Sequence, residues 1–414
     1  MNENKHGKPQ KDNRQQPIHT KVLGVVFLAA IFFIGSATFP QTAKNIASFL
    51  TNRGQGAEQT QDLVSASYSS MLDFKGPLFI NKGGYINLNG LMARAMGQRY
   101  MNEAVKLDNG HLINGPNIRR DLTRGAGQIT KIYERQKEKG AGFLYVAAPN
   151  QLPVNQDLLP AGFADYSNQN ADDLFNMLGK NGVPAMDLRE KLIEEGIDHS
   201  GAFFVTDHHW TPETGFWAYT KTIEYFVQAG LIDPVDPMYT DIGEYNIEVY
   251  EDLVLGTEGR RTGKYFAGFD DISVITPKFE TDITVEIPAL SLFEKGPFEQ
   301  IAFDREQLRP EYFVSEPYAA YGHGSQGYIH YENEEAPVNL KILAIGDSFS
   351  NVPFTFLPLV FRTCDELDMR LYKGDFEEYY LGFDPDIVLI LTSSANHMNS
   401  KNITYDYFND IKKQ

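Results

Sequence analysis

Cysteine is almost missing from this chain: Cys364 stands alone among 414 residues. A fold held by disulfides is excluded, and so is a zinc site built from thiolates. Cys364 falls in FLPLVFRTCDELDM, on the apolar stripe of an expected helix, where it reads as a small buried hydrophobe and not as a reactive thiol. Basic charge is scarce too. Lys plus Arg number 37 against 55 Asp plus Glu, a net charge of -18. Nucleic acid is thereby excluded as a partner, because phosphate binding needs clustered cations. The largest clusters are the short pairs Arg119-Arg120 and Arg260-Arg261. No internal repeat is present. Apolar material is not lacking: 42% hydrophobic and 13% aromatic residues fill one large core or two smaller ones.

Long apolar runs are confined to one place. Residues 22–39 read VLGVVFLAAIFFIGSATF, with no charge between Lys21 and Lys44. Such a run is long enough to cross a bilayer as a helix. Lys5, Lys8, Lys11, Arg14 and Lys21 lie ahead of it against Glu3 and Asp12, so the positive-inside bias keeps that end in the cytoplasm. The run exceeds a usual signal-peptide core and no small-x-small cleavage site follows, which favours an uncleaved anchor. The expected organisation is a cytoplasmic tail 1–21, a transmembrane anchor 22–39, a polar stem 40–73 and a folded domain 74–414. The expected location is the cell membrane, single-pass, with the folded domain on the extracytoplasmic side.

Within that domain, short apolar runs alternate with amphipathic helical patterns. GFLYVAAP, VPAMDL, KILAIGDS and PDIVLILTSS read as buried strands, and IRRDLTRGAGQITKIYERQKEKG and NADDLFNMLGKNG as helices. This alternation predicts an α/β fold with a parallel sheet and flanking helices. Ligands of such sheets bind beyond the carboxyl ends of the strands, here APNQ, GDSFS and TSSANH. Between about 239 and 302, YNIEVYEDLVLG, DISVITPKF and TDITVEIPAL alternate apolar and polar residues, which predicts a β-rich antiparallel insertion.

Three segments carry candidate chemistry. In AIGDSFSNVPF an apolar strand ends at Gly346-Asp347-Ser348 and a helix is expected to follow, with Phe356, Leu357, Val360, Phe361 and Cys364 on its apolar side. A serine on such a turn stands at the mouth of the sheet as a nucleophile, and the same serine equally fits a helix cap. In VTDHHWTPETGFWAY, Thr211, Pro212 and Glu213 mark a helix start, so Asp207, His208 and His209 sit in the loop before it. An Asp two residues before a His can orient the ring while its other nitrogen accepts a serine proton. Asp207 with His209 is the expected pair, and His208 points elsewhere as a structural or substrate contact. Satisfied loop histidines or a metal site on Asp207 with a histidine are the alternatives. In LTSSANHMN, Asn396 is a candidate oxyanion donor or simply part of a polar loop. Gly322 to Gly327 spells G-x-G-x-x-G, but it follows no apolar strand and opens no helix, so it reads as a loop beside the site.

DHHW followed by GDSFS resembles the DHHW family, which is related to the SGNH-hydrolase-like acetyltransferases of polysaccharide modification, including the alginate O-acetylation proteins. There the Asp-x-His motif precedes the Gly-Asp-Ser motif, as Asp207 and His209 precede Ser348 here. The resemblance implies an SGNH, flavodoxin-like core and a Ser348 acyl-enzyme served by His209 and Asp207. It also implies a cell-surface polysaccharide as acceptor and a membrane-bound acyltransferase as the partner supplying the acyl group. No cofactor and no metal are expected. The sequence departs from ordinary SGNH enzymes in having no Gly-x-Asn-Asp segment, which leaves Gly346, Asn396 and His208 as oxyanion or substrate candidates. The expected activity is O-acetyl transfer to a glycan hydroxyl. Two alternatives are kept: a glycan O-acetyl esterase with the same triad, and an inactive glycan-binding or assembly protein.

Overall fold

The computed structural model describes residues 82–393 other than 116, 155 and 156; the expected tail, anchor and stem, and Asn396, lie outside the described residues. In chain order, helix α1 (Lys82–Ala95) precedes a small antiparallel sheet of β1 (Tyr100–Met101), β2 (Ala104–Lys106) and β3 (Leu112–Asn114). There follow α2 (Thr123–Lys139), β4 (Gly142–Ala148), α3 (Ser167–Lys180), β5 (Ala185–Asp187), α4 (Leu188–Glu194) and α5 (Pro212–Gln228). Next come β6 (Tyr245–Val254), α6 (Thr257–Thr262), α7 (Lys264–Ala267), β7 (Asp270–Pro277), β8 (Ile283–Ile287), β9 (Leu292–Gly296) and α8 (Phe298–Ile301). The described chain closes with β10 (Ile329–Glu332), β11 (Val338–Gly346), α9 (Asn351–Thr355), β12 (Phe361–Asp368), α10 (Phe376–Phe383) and β13 (Ile387–Ser393). Among the described residues, no helix is long and apolar enough to cross a membrane.

The four runs read as buried strands supply β4, β5, β11 and β13 of one eight-stranded sheet, in the order β5-β4-β13-β11-β12-β10-β8-β9. The five strands from β5 to β12 are parallel. Strands β4 and β13 are buried along their whole length, as continuous apolar runs covered on both faces must be. Alternate residues of β4 serve opposite faces. Leu144, Val146 and Ala148 join Phe216, Tyr219 and Phe226 of α5 in one core, while Phe143, Tyr145 and Ala147 join Ile129, Ile132, Leu174 and Leu178 of α2 and α3 in the other.

Two expectations need correction. The sheet is mixed and not wholly parallel, because β10, β8 and β9 pair antiparallel along one side. Within the β-rich region, β6 and β7 form a separate ribbon, whereas β8 and β9 extend the main sheet. The single long helix expected after Ser348 also does not form. Helix α9 stops at Thr355, Pro358 interrupts the apolar run, and the chain re-enters the sheet as β12, with Cys364 opposite Ile342. Cys364 remains fully buried, but in a strand.

Candidate active site

Strand β11 ends at Gly346, and the chain folds over itself at once. A Cβ added there would lie 2.0 Å from Ser350 Oγ, so only glycine lets the turn close. Asp347 fixes the turn: Oδ1 accepts the Phe349 N–H at 3.0 Å, and Oδ2 accepts the Ser393 N–H and hydroxyl at 2.9 and 2.6 Å. The serine-bearing turn is thus tied to the carboxyl end of the adjacent strand β13.

The second half of the site comes from the loop before α5. Thr211 caps that helix through its hydroxyl and Pro212 opens it, as the sequence predicts. Upstream, Asp270 accepts hydrogen bonds from the Val205 and Thr206 N–H groups at 2.7 and 2.8 Å. The Gln151 amide donates to the carbonyls of Phe204 and Asp207, both at 2.9 Å. Trp210 is wholly buried and donates its indole N–H to the Tyr318 hydroxyl at 3.0 Å. Gly256 is required as well, since a Cβ there would meet the Asp207 Cβ at 2.3 Å.

These supports bring three residues into line. The Ser348 hydroxyl lies 2.7 Å from His209 Nε2, and His209 Nδ1 lies 2.6 Å from Asp207 Oδ1. Asp207 Oδ1 also accepts the His209 N–H at 3.0 Å, and Oδ2 accepts the Thr257 N–H at 2.6 Å. With His209 neutral, Nδ1–H donates to the carboxylate and Nε2 is left to accept the serine proton. The His209 ring stacks on Tyr318 at 4.2 Å between centroids and lies tilted against His208 at 4.0 Å.

The electrostatics follow from this packing. Burial works against the Asp207 charge, yet His209, His208 and the Thr257 N–H together hold its carboxyl well below the usual range. Burial lowers the basicity of His209, and the neighbouring His208 lowers it further, which keeps the ring neutral and able to accept a proton. His208 turns away from Ser348 toward Glu258, with Nδ1 at 3.4 Å from Oε2. Although burial opposes its charge, Asp207 and Glu258 push its pKa up to about 9, so it is an imidazolium at neutral pH.

Asp207, His208 and His209 could in principle share a metal ion, since each offers a ligand atom within 4.8 Å of the others. Both nitrogens of His209 and both oxygens of Asp207 are already used, however, so ligation would break the chain that leads to Ser348. Of the other candidates, Gly346 is a strand residue opposite Asp368 and Leu391, and Asn396 lies outside the described residues. The contacts from Thr257, Glu258 and Tyr318 were not legible in the sequence. Glu258 and Tyr318 stand 50 and 108 residues from their partners His208 and Trp210, with no local signal linking them.

Ser348 and His209 open on a cavity of about 240 Å³ lined also by Arg260, Glu316, Tyr318 and Asn351. Arg260 is paired with Glu316 at 2.9 Å. Ser325, from the rejected glycine motif, lines the same cavity, so that loop does lie beside the site.

Residues 114–231 match the family described as SGNH hydrolase-like domain, acetyltransferase AlgX. That stretch contains Asp207 and His209 and stops short of Ser348. No curated protein matches the sequence. Among solved structures, Bacillus cereus PatB1 is 19% identical with a TM-score of 0.59, covering 72% of this chain and 98% of its own. A DHHW family protein from Eubacterium siraeum is 18% identical with a TM-score of 0.53, covering 73% of this chain and 95% of its own. The resemblance read from DHHW and GDSFS is therefore borne out: residues 114–231, which include Asp207 and His209, are similar to an SGNH hydrolase-like, AlgX-type domain, and the fold is similar to those of PatB1 and a DHHW family protein.

Proposed function

We propose that this protein is a cell-surface O-acetyltransferase that passes an acetyl group through Ser348 to a hydroxyl of an extracellular or cell-wall polysaccharide. The observation that carries the reading is the unbroken chain Ser348 Oγ–His209–Asp207 at 2.7 and 2.6 Å, with a cavity over the serine. His209 takes the Ser348 proton as Oγ attacks the acyl carbonyl, and Asp207 stabilises the imidazolium that forms. The tetrahedral intermediate collapses by expelling the donor's leaving group, to which His209 returns the proton. A glycan hydroxyl then repeats the sequence on the acyl-enzyme: His209 removes its proton, the acetyl group moves to the glycan oxygen, and Ser348 regains its hydrogen.

The apolar run 22–39 supports attachment to the membrane with this domain outside, and a membrane-bound acyltransferase is the partner such an arrangement calls for. Water in place of the glycan would make the same triad an esterase. The deciding test supplies an activated acetyl ester and compares acetate release with acetyl appearance on neutral and acidic polysaccharides. Transfer that outpaces release supports the reading; release at the same rate with and without every glycan makes the protein an esterase. Loss of turnover on chelation, restored by added metal, would instead point to a metal-dependent hydrolase. Glycan binding with no acetyl chemistry would leave the assembly role.

A further inference from the structure

A second cleft, of about 190 Å³, is lined by His208 and Phe349, the chain neighbours of His209 and Ser348, which line the first cavity. It is built at the carboxyl ends of β4 and β13, from Asn117, Asn150, Gln151, Asp165, His208 and Phe349 among others. Strands β4, β13 and β11 are neighbours. The cleft beyond β4 and β13 and the serine beyond β11 are thus one to two strand spacings apart, roughly 5 to 10 Å.

Its walls hold unused hydrogen-bonding capacity. Gln151 is 5% exposed, and its buried Oε1 has no hydrogen-bond partner among the described residues although its Nε2 has two. His208 presents Nδ1 to Glu258 and Asp207, while Nε2 has no partner among the described residues. Asn117 spends its amide N–H on Asp165 and Ser167 and keeps Oδ1 free among the described residues. A buried amide oxygen without a partner is costly unless a ligand or water meets it. Apolar Ile113 and Leu152 line the same cleft. Among the described residues, the charged groups that line it are Asp165 and His208, of opposite sign.

We propose that this cleft is a subsite for an uncharged sugar residue of the acceptor chain, adjoining the residue that receives the acetyl group. A pyranose offers hydroxyls that both donate and accept, together with apolar C–H faces, which suits free acceptors, a free imidazolium donor and aliphatic walls. A uronate or phosphate group would meet the Asp165 carboxylate with one cation to offset it. Placing one sugar here sets the next at Ser348, so the cleft would fix which hydroxyl reacts. The inference rests on the acceptor being a glycan.

The test uses the full-length protein carrying Ser348→Ala, which removes the chemistry, and measures binding of cellopentaose, chitopentaose, maltopentaose and tetragalacturonate by calorimetry. At least one neutral pentasaccharide is expected to bind, with its Kd raised 10-fold or more by Asn117→Ala and by His208→Gln in proteins that melt as the parent does. No binding by any neutral probe, tighter binding of tetragalacturonate, or a Kd untouched by both substitutions would overturn the subsite. Because Ser348 is absent, glycan binding stands even if acyl transfer fails. An acyl-enzyme that forms in the wild type without such binding would sink the subsite alone.

Discussion

His209 and His330 each hold an aspartate oxygen against Nδ1, at 2.6 Å from Asp207 and 2.5 Å from Asp365. His209 stands in a loop at the carboxyl edge of the sheet, with Ser348 on its other nitrogen and an imidazolium beside it. His330 stands within β10, cross-strand from Asp365 of β12, and its Nε2 is 4.0 Å from the Glu332 carboxylate. Asp365 also accepts hydrogen bonds from the hydroxyls of Tyr328 and Tyr379. The hydrogen bond to Asp365 raises the pKa of His330 despite its partial burial, whereas burial and His208 lower that of His209. The same pair therefore favours the charged ring in one place and the neutral ring in the other. The Asp–His contact does not decide between them; the third partner and the surrounding charges do.

Breaking the first pair has the largest effects. Ser348→Ala or His209→Ala is expected to cost on the order of 10⁶-fold in kcat with an activated acetyl ester, the scale of other serine triads. Asp207→Asn keeps the shape but loses the anion that sets the His209 tautomer, and on the order of 10⁴-fold is expected. An effect of tenfold or less in either case would place the chemistry elsewhere.

His208→Gln sharpens the comparison. The His208 imidazolium disfavours protonation of His209, so its removal raises the His209 pKa and moves the acid limb of kcat/KM to higher pH. An unmoved limb would mean that His208 carries no charge at the site. His330→Gln is the smallest case, and kcat is expected to change less than about twofold. Because the folded pKa of His330 is raised above 6.5, its stabilisation is complete below that value and lost as pH rises through the folded one. The substitution should lower stability by about 1 kcal/mol in acid and by less in alkali, read as Tm against pH. An equal loss at both pH values would exclude a charge effect.

The sequence made legible what is local. The runs that became β4, β5, β11 and β13, the Thr211-Pro212-Glu213 helix start and the Asp-x-His spacing each sit within a few residues. The apolar residues after Ser348 suit a helix or a buried strand by spacing alone, and Pro358 decided for the strand. The mixed sheet edge was hidden for another reason: β8 and β9 alternate like any antiparallel pair, and alternation does not say which sheet they join. Thr257, Glu258 and Tyr318 were beyond reach because only the folded chain brings them to the histidines.

The most direct measurement is the intact mass of the full-length protein mixed rapidly with an activated acetyl ester, followed by peptide mapping. A single acetyl group on Ser348, absent in Ser348→Ala and slow to appear in Asp207→Asn, is the predicted result. Acetyl groups spread over surface lysines, with Ser348 unmodified and turnover intact, would contradict an acyl-enzyme on Ser348 and the function built on it.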